Sequence, residues 1–498
     1  MSQDTTLTRG DPVLTRLADA IIIPPFPGPV APGWILDALG RGLAGVTLFG
    51  QNVSSPEQLA ALTASLREAA DGPGPVIAID EEGGDVTRIA HLSGGRYPGN
   101  AALGAVDDVA LTRDVYRALG ADLAALGISV DLAPSADVNT AADNPVIGTR
   151  SFGSGPGLVS RHVVAAVAGL QAAGVAACAK HFPGHGSTRT DTHDSVATVD
   201  APLALLATRD LPPFAAAIDA GVRAVMPGHL RVPELTGVLP ASQSPAALTG
   251  LLRGELGFTG VIISDGLEMR AVSEPLGMPE AAVLAVAAGT DLLCLGRDQD
   301  QISYLAVRDA LVAAAASGRM PPQRLEDAAA RVAELRAWAA AAIPSGPAAD
   351  GDGVGLAAAR RAIRVTGALD GSLDRPVVVE VVPPLNIAVG PVPWGLGTWV
   401  PAGSIVRAGT GLPAAELARR MDAALAAASG RSLIVVVRDA HRHRAARDAV
   451  SRLLAARPDA VVLEMGLPVW RPPGGAHVAT YGAARTSGLA AAELLGLA

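Results

Sequence analysis

Eight short apolar runs recur along the first three-fifths of the chain, and each is followed by polar or glycine-rich residues. They lack the strict alternation of half-buried strands, which is typical of strands buried on both faces. Between them lie Ala- and Leu-rich stretches with helical spacing, such as SPEQLAALTASLREAA. A strand and a helix repeated eight times predict a (β/α)8 barrel. The runs are 21–23, 46–49, 76–79, 128–132, 175–179, 222–226, 261–263 and 291–295.

A different pattern begins after the eighth run. PPQRLEDAAARVAELRAWAAAA predicts a long closing helix with two prolines at its start, and IPSGPAADGDGVG predicts a domain linker. Strand-like runs (PVVVEVV, SLIVVVRD, AVVLEMG) then alternate with helical runs, which predicts a three-layer α/β sandwich. We therefore expect a TIM-like barrel over 1–342, a linker over 343–354 and an α/β sandwich C-terminal domain over 355–498.

Composition narrows the class of protein. Of the 498 residues, 49% are apolar and 17% are charged, which excludes a disordered chain. The net charge is −9 without a Lys/Arg block, so we expect no nucleic-acid partner. Cys178 and Cys294 lie in apolar runs and are expected to be small buried hydrophobic residues. Because neither a secretion signal nor an apolar stretch of about 18 residues is present, we expect a soluble cytoplasmic protein without a membrane span.

The densest polar cluster is KHFPGHG followed by DTHD, which holds three of the nine histidines. A metal site built from His181, His185, Asp191 and His193 is one interpretation, and an ordinary structural loop is another. The Pro-Gly pair interrupts the helix that would hold His181 and His185 together, so we expect no metal. Asp191 and His193 instead fit a proton-transfer pair, because a nearby carboxylate orients an imidazole and favours its charged form.

Acidic and basic side chains also follow several of the predicted strands. Asp265 ends the seventh run, where a carboxylate can act as a nucleophile, a base or a metal ligand. Glu268 is a competing carboxylate further into the same loop. Asp80 ends the third run, and Arg88 and Arg150 carry guanidinium groups that suit hydroxyl or acyl oxygens. In a barrel the carboxyl ends of the strands converge on one mouth, so we expect these groups to meet there.

Several ordered motifs resemble those of one enzyme family. IDEEGG, LAPSADVN, NPVIGTRSFG, KHFPGHG with DTH, MPGHL and ISDGLEM resemble glycoside hydrolase family 3, most closely its β-N-acetylglucosaminidase branch. The resemblance covers roughly the whole predicted barrel, 10–340. The tail ending YGAARTSGLAAAELLG resembles the sandwich domain that follows the barrel in two-domain members.

The resemblance implies a reaction and roles for particular residues. It implies a retaining, exo-acting β-N-acetylglucosaminidase without a cofactor, in which Asp265 is the nucleophile. His193 would be the general acid/base, assisted by Asp191. The substrates would be cell-wall fragments, as in peptidoglycan recycling, or short chito-oligosaccharides. The residues implied to bind the N-acetylglucosamine unit are Asp80, Arg88, Arg150, Lys180, His181 and His229.

Two other functions stay open at this point. The same scaffold could carry a phosphorylase, because a neutral histidine acid/base does not repel phosphate as a carboxylate would. It could also carry a non-catalytic sugar-binding protein, although the intact Asp265, Asp191 and His193 argue against this. Asp85, where many members of the branch have Arg, and Asp194 are expected to add negative charge near the mouth. That charge would weaken phosphate binding and so favours water as the acceptor.

Replacing the predicted general acid should affect substrates unequally. We expect His193→Ala to slow glycosides with poor leaving groups far more than activated aryl glycosides, because the latter need little protonation. Steady-state rates on the two substrate types check this expectation. Equal losses on both would indicate that His193 only shapes its loop.

Overall fold

Eight parallel strands form a closed ring in the first part of the chain. The computed structural model describes residues 11–190, 196–342, 351–369, 373–386 and 388–498. Six strands pair in chain order from β2 to β7, and β1 pairs with β8. The bridge between Ile263 and Leu292 and the hydrogen bond from Thr47 N to Pro24 O (3.3 Å) close the ring. The strands are β1 Ile22–Ile23, β2 Gly45–Leu48, β3 Val76–Ile79, β4 Val130–Asp131, β5 Ala176–Phe182, β6 Ala224–Pro227, β7 Val261–Ile262 and β8 Leu293–Cys294.

Each of the eight apolar runs overlaps one of these strands, which confirms the predicted barrel. The interior is filled by small and branched side chains from successive strands, including Ala78, Val130 and Cys178. The predicted closing helix supplies Val332 and Leu335 to the same cluster. Both cysteines are buried free thiols, as expected from their apolar surroundings.

Helices surround the barrel and pack their apolar faces on the outside of the strands. Several begin at a capping residue, such as Ser55, whose hydroxyl accepts from Gln58 N at 3.2 Å. The helices of this part are α1 Pro12–Asp19, α2 Gly33–Gly40, α3 Pro56–Ala69, α4 Asn100–Val106, α5 Val109–Ala125, α6 Pro156–Ala172, α7 Leu203–Arg209, α8 Pro212–Asp219, α9 Pro233–Thr236, α10 Arg270–Leu276, α11 Met278–Ala288, α12 Gln301–Ala316 and α13 Pro322–Ala341, with a π-helix over Ala246–Glu255 and a short ladder between Ala197–Thr198 and Leu230–Arg231.

A six-stranded sheet forms the core of the second part. Its order is β9-β14-β13-β12-β10-β11, and β9 alone of these strands is antiparallel to its neighbour. Buried clusters cover both faces of the sheet, as a three-layer sandwich requires. The elements are β9 Arg364–Thr366, β10 Val377–Val382, β11 Ile405–Gly409, β12 Leu433–Val437, β13 Val461–Glu464, β14 Ala476–Ala479, α14 Gly351–Ala362, α15 Ala414–Ala427, α16 Arg444–Ala456 and α17 Arg485–Leu494.

Helix α14 joins the two parts. It packs against α4 and α5 of the barrel and against α17 of the sandwich. Because α14 begins at Gly351, the last four residues of the predicted linker are helical, and 343–350 lie outside the described residues. Among the described residues, none of the helices is both long and apolar enough to cross a membrane.

The contact between α5 and α6 depends on a small residue. A Cβ atom placed on Gly169 would lie 2.5 Å from Arg113 O and 2.9 Å from the Cβ atom of Tyr116. Gly157, on the same helix, has open surroundings, because its Cβ would meet only Arg161 Nη1 at 3.9 Å. The two helices can therefore approach closely only at the first of these glycines.

We expect Gly169→Ala and Gly157→Ala to have opposite effects on stability. Gly169→Ala should lower the free energy of unfolding by about 2 kcal/mol or more, because backbone atoms of α5 must move. Gly157→Ala, the matched control, should be neutral or raise it by up to about 1 kcal/mol, because Ala favours the helix. Chemical denaturation of the two variants measures both values. Equal stability of both variants would contradict the close packing.

Candidate active site

Most of the predicted site residues line one cavity at the carboxyl ends of the barrel strands. The cavity has a volume of about 880 Å³. The strands that position its walls are β3, β5 and β7, together with the loops that follow β4 and β8. The predicted residues on it are Asp80, Arg88, Arg150, Lys180, His181 and Asp265, and Glu82, His185 and Glu268 line it as well.

Four charged side chains form a network on one wall, in which Glu82, Arg150 and Lys180 are buried and Asp80 is partly exposed. Lys180 Nζ lies 2.6 Å from Asp80 Oδ1 and 2.8 Å from Glu82 Oε1. Arg150 binds the same Glu82 in bidentate fashion, with Nη2 2.7 Å from Oε1 and Nε 2.9 Å from Oε2. Glu82 therefore bridges two cations from different segments of the barrel, Lys180 of strand β5 and Arg150 of the segment that follows β4.

Pairing decides the protonation of this network. Burial by itself raises the pKa of Glu82, but Arg150 and Lys180 outweigh it and hold that pKa well below its usual value. Burial lowers the pKa of Lys180, whereas Asp80 and Glu82 raise it above its usual value. Glu82 and Lys180 are therefore charged at neutral pH. The wall presents fixed charges and hydrogen-bond donors to whatever enters the cavity.

Asp137, which was not among the predicted site residues, orients His181. Its Oδ2 lies 2.8 Å from His181 Nδ1, and its Oδ1 accepts from His185 N at 2.6 Å. Because a carboxylate only accepts, Nδ1 of His181 carries the proton, and Nε2 accepts from Arg150 Nη2 at 3.3 Å. The available signal was the position of Asp137 in LAPSADVN, in the loop that follows β4.

His185 faces His181 edge-on, with ring centroids 5.9 Å apart. Its Nδ1 bonds to Thr188 Oγ1 at 2.6 Å, and burial lowers its pKa to about 4. His185 is thus a neutral imidazole at neutral pH. The Nδ1 atoms of both histidines are therefore committed to protein partners rather than to a shared ligand.

Two carboxylates stand on the opposite part of the wall. Asp265 follows β7 with only Ile263 and Ser264 between them, and its Oδ1 accepts from Gly266 N at 2.8 Å. Glu268 Oε1 accepts from Arg297 N at 2.9 Å. A Cβ atom on Gly266 would come within 2.4 Å of Glu268 Oε2, so this glycine makes room for Glu268 rather than only for Asp265.

Two predicted catalytic residues, Asp191 and His193, lie in 191–195, outside the described residues. Their assignment therefore stays a prediction.

The structure places His229 differently from the sugar-binding role implied for it. The side chain is fully buried and is not among the described residues that line the cavity. Its Nδ1 bonds to Ser242 Oγ at 2.7 Å, and its Nε2 donates to Gly266 O at 2.9 Å. His229 lies behind the loop that carries Asp265, where it supports that loop and does not line the cavity.

The second domain completes the cavity wall. Its residues 388–392 line the cavity, and Arg88 donates to Ala388 O at 2.8 Å and Val389 O at 3.3 Å.

The prediction that Asp85 adds negative charge at the mouth was wrong. Asp85 is buried and forms an ion pair with Arg438 of the second domain at 3.1 Å, which compensates its charge.

A polar cavity with paired charges and separate carboxylates, at the carboxyl end of a (β/α)8 barrel, is the arrangement of a glycoside hydrolase. Residues 37–335 match the glycosyl hydrolase family 3 N-terminal domain. The chain therefore belongs to glycoside hydrolase family 3.

Individual relatives agree with this assignment. The chain is 37% identical over 292 residues to the β-hexosaminidase LpqI of Mycobacterium tuberculosis, covering 57% of this chain and 74% of that protein. It is 33% identical over 318 residues to β-hexosaminidase A of Pseudoalteromonas piscicida, covering 59% and 53%. A family 3 β-N-acetylglucosaminidase structure from Paenibacillus sp. str. FPU-7 superposes with a TM-score of 0.85 at 32% identity, covering 97% of this chain and 96% of that one.

A buried acid next to the site predicts a pH-dependent stability. Burial raises the pKa of Glu81 from 4.5 to about 7, although Thr87 and the amides of Arg88 and Ile89 donate to it. A group with a raised folded-state pKa favours folding at low pH, and this contribution is lost as the pH rises from 4.5 to 7. Glu81→Gln keeps an acceptor and removes the ionisation.

The free energy of unfolding of Glu81→Gln should therefore rise relative to that of the natural chain over this interval, by up to about 3 kcal/mol. Denaturant unfolding at several pH values, with the difference between the two proteins plotted against pH, measures it. A difference that does not change with pH would contradict the raised pKa.

Proposed function

We propose that the enzyme is a retaining, exo-acting β-N-acetylglucosaminidase that forms a covalent glycosyl intermediate on Asp265. The observation that carries the proposal is the Asp265 carboxylate on the cavity wall, across from a wall of paired charges. The β-hexosaminidase and β-N-acetylglucosaminidase names of the relatives support the choice of sugar.

Retention requires a nucleophile on one face of the sugar and a proton donor for the leaving oxygen. Asp265 attacks the anomeric carbon, and the leaving oxygen takes a proton from His193, which Asp191 orients. Water, activated by the now neutral His193, then attacks the anomeric carbon and releases Asp265. The proton returns to His193, so the cycle closes without a cofactor.

The paired wall binds the terminal sugar. Lys180, Arg150 and Arg88 donate hydrogen bonds to sugar oxygens, whereas Asp80 accepts from hydroxyl groups. His181, held by Asp137, contributes a ring of fixed orientation. Because this wall is buried, it accommodates the end of a glycan rather than its middle, which supports exo action.

The natural substrates we propose are N-acetylglucosamine linked to N-acetylmuramic acid or its anhydro form, or short chito-oligosaccharides. Cell-wall fragments of this kind arise in peptidoglycan recycling, and we place the enzyme in the cytoplasm. Product analysis with a panel of muropeptides and chito-oligosaccharides distinguishes the two substrate groups.

Two variants of the cavity carboxylates test the nucleophile. We expect Asp265→Gly to lose nearly all turnover of an aryl β-N-acetylglucosaminide, and azide to restore it with an α-glycosyl azide as the product. Glu268→Gln, the matched control, should keep measurable turnover without azide. Azide rescue of the Glu268 variant instead, or labelling of another residue by a fluorosugar in the natural enzyme, would contradict the assignment.

The acceptor is tested separately. Two carboxylates, Asp265 and Glu268, line the cavity and disfavour a phosphate dianion. Two arginines on the same wall, Arg270 and Arg297, already form ion pairs with acidic side chains. We therefore expect N-acetylglucosamine as the product even in millimolar phosphate. N-acetylglucosamine 1-phosphate as the main product, at a rate that saturates with phosphate, would show a phosphorylase instead.

A further inference from the structure

Asp85 connects the barrel to the second domain, although it does not line the cavity. Its Oδ2 accepts from Thr149 Oγ1 at 2.7 Å and lies 3.1 Å from Arg438 Nη2, and its Oδ1 accepts from Ala483 N at 2.7 Å. Thr149 belongs to the barrel, whereas Arg438 and Ala483 belong to the second domain. The side chains of Asp85 and Arg438 are 2% and 13% exposed, so water does not compete for this pair.

Thr149, the barrel partner of Asp85, lies next to the sugar-binding wall. Thr149 directly precedes Arg150, which binds Glu82 in the charged network. Asp85 itself lies three residues before Arg88. A shift of Asp85 would therefore act on the backbone of both arginines.

The loop that carries Asp85 and Arg88 is held rigidly. Glu81 Oε2 accepts from Arg88 N at 2.7 Å and from Ile89 N at 3.1 Å. A Cβ atom on Gly84 would lie 2.5 Å from the Cα of Gly99, so the loop is in close contact with the backbone before α4. A displacement of Asp85 would therefore also displace Arg88 at the other end of this loop.

The second domain holds this loop at both ends. It contacts Asp85 through Arg438 and Ala483, and it contacts Arg88 through the carbonyls of residues 388 and 389. A further hydrogen bond, from Asn386 Nδ2 to Pro145 O at 3.0 Å, ties the same segment of the second domain to the loop before Arg150.

We propose that Asp85 is a positioning residue through which the second domain sets the orientation of Arg88 and Arg150 in the sugar-binding wall. The proposal rests on the proposed function. It predicts that loss of the Asp85 contacts weakens sugar binding while the chemical step changes little.

The variants are Asp85→Asn, Arg438→Gln and the double variant, with Arg361→Gln as the matched control. Arg361 forms an exposed ion pair with Asp108 at 2.9 Å, which also joins α14 to the barrel but lies on the outer helices. Asp85→Asn should raise KM for an aryl β-N-acetylglucosaminide by about tenfold and change kcat by less than about threefold. Arg361→Gln should change neither value.

Two further readouts separate positioning from stability. Hydrogen–deuterium exchange of residues 81–91, measured without any ligand, should be faster in Asp85→Asn and Arg438→Gln than in Arg361→Gln. The double variant should raise KM by less than the product of the two single effects, because both residues act through one contact. Arg438→Gln removes only one of the three contacts of Asp85, so it serves as the test if Asp85→Asn does not fold.

A lower Tm with unchanged KM and unchanged exchange, relative to Arg361→Gln, would overturn the proposal and leave Asp85 a purely structural residue. The natural enzyme could also fail to cleave any β-N-acetylglucosaminide while residues 81–91 still exchange faster in Asp85→Asn and Arg438→Gln. That result would uphold the coupling and refute the proposed function.

Discussion

The bridge that Glu82 makes between Arg150 and Lys180 is the interaction on which the site depends. A buried carboxylate is tolerated only when it is paired and hydrogen-bonded, and Glu82 meets that condition through one cation from strand β5 and one from the segment after β4. Each partner in turn contacts another site residue, since Lys180 binds Asp80 and Arg150 donates to His181. Changing Glu82 would leave two buried cations without their main partner and would disturb the whole wall.

Barrel closure makes this network possible. Parallel strands bring their carboxyl ends to one edge, so residues about a hundred positions apart, such as Asp80 and Lys180, come within hydrogen-bonding distance. The packed interior of small and branched side chains fixes the relative height of the strands. The closing helix α13 adds to that interior cluster, so the polar groups gather at the opposite edge.

The second domain belongs to the same physical unit. Its residues 388–392 form part of the cavity wall, and its carbonyls accept from Arg88, for which the family resemblance implies a role in sugar binding. A buried ion pair between Asp85 and Arg438 adds a charged contact across the boundary. These contacts make the sandwich domain part of the cavity, although its own sequence lacks a recognisable catalytic motif.

The eight strands, the sandwich class and the identity of most groups on the wall are predictable from the sequence, because buried strands and the polar residues after them leave a local pattern. Partners across loops leave no such pattern. The bridging role of Glu82, the support that Asp137 gives His181, the buried position of His229 and the neutralised charge of Asp85 were therefore decided by the tertiary structure. Each of these four features depends on side chains from distant segments that meet in the low-dielectric interior. Only the folded chain brings those side chains together.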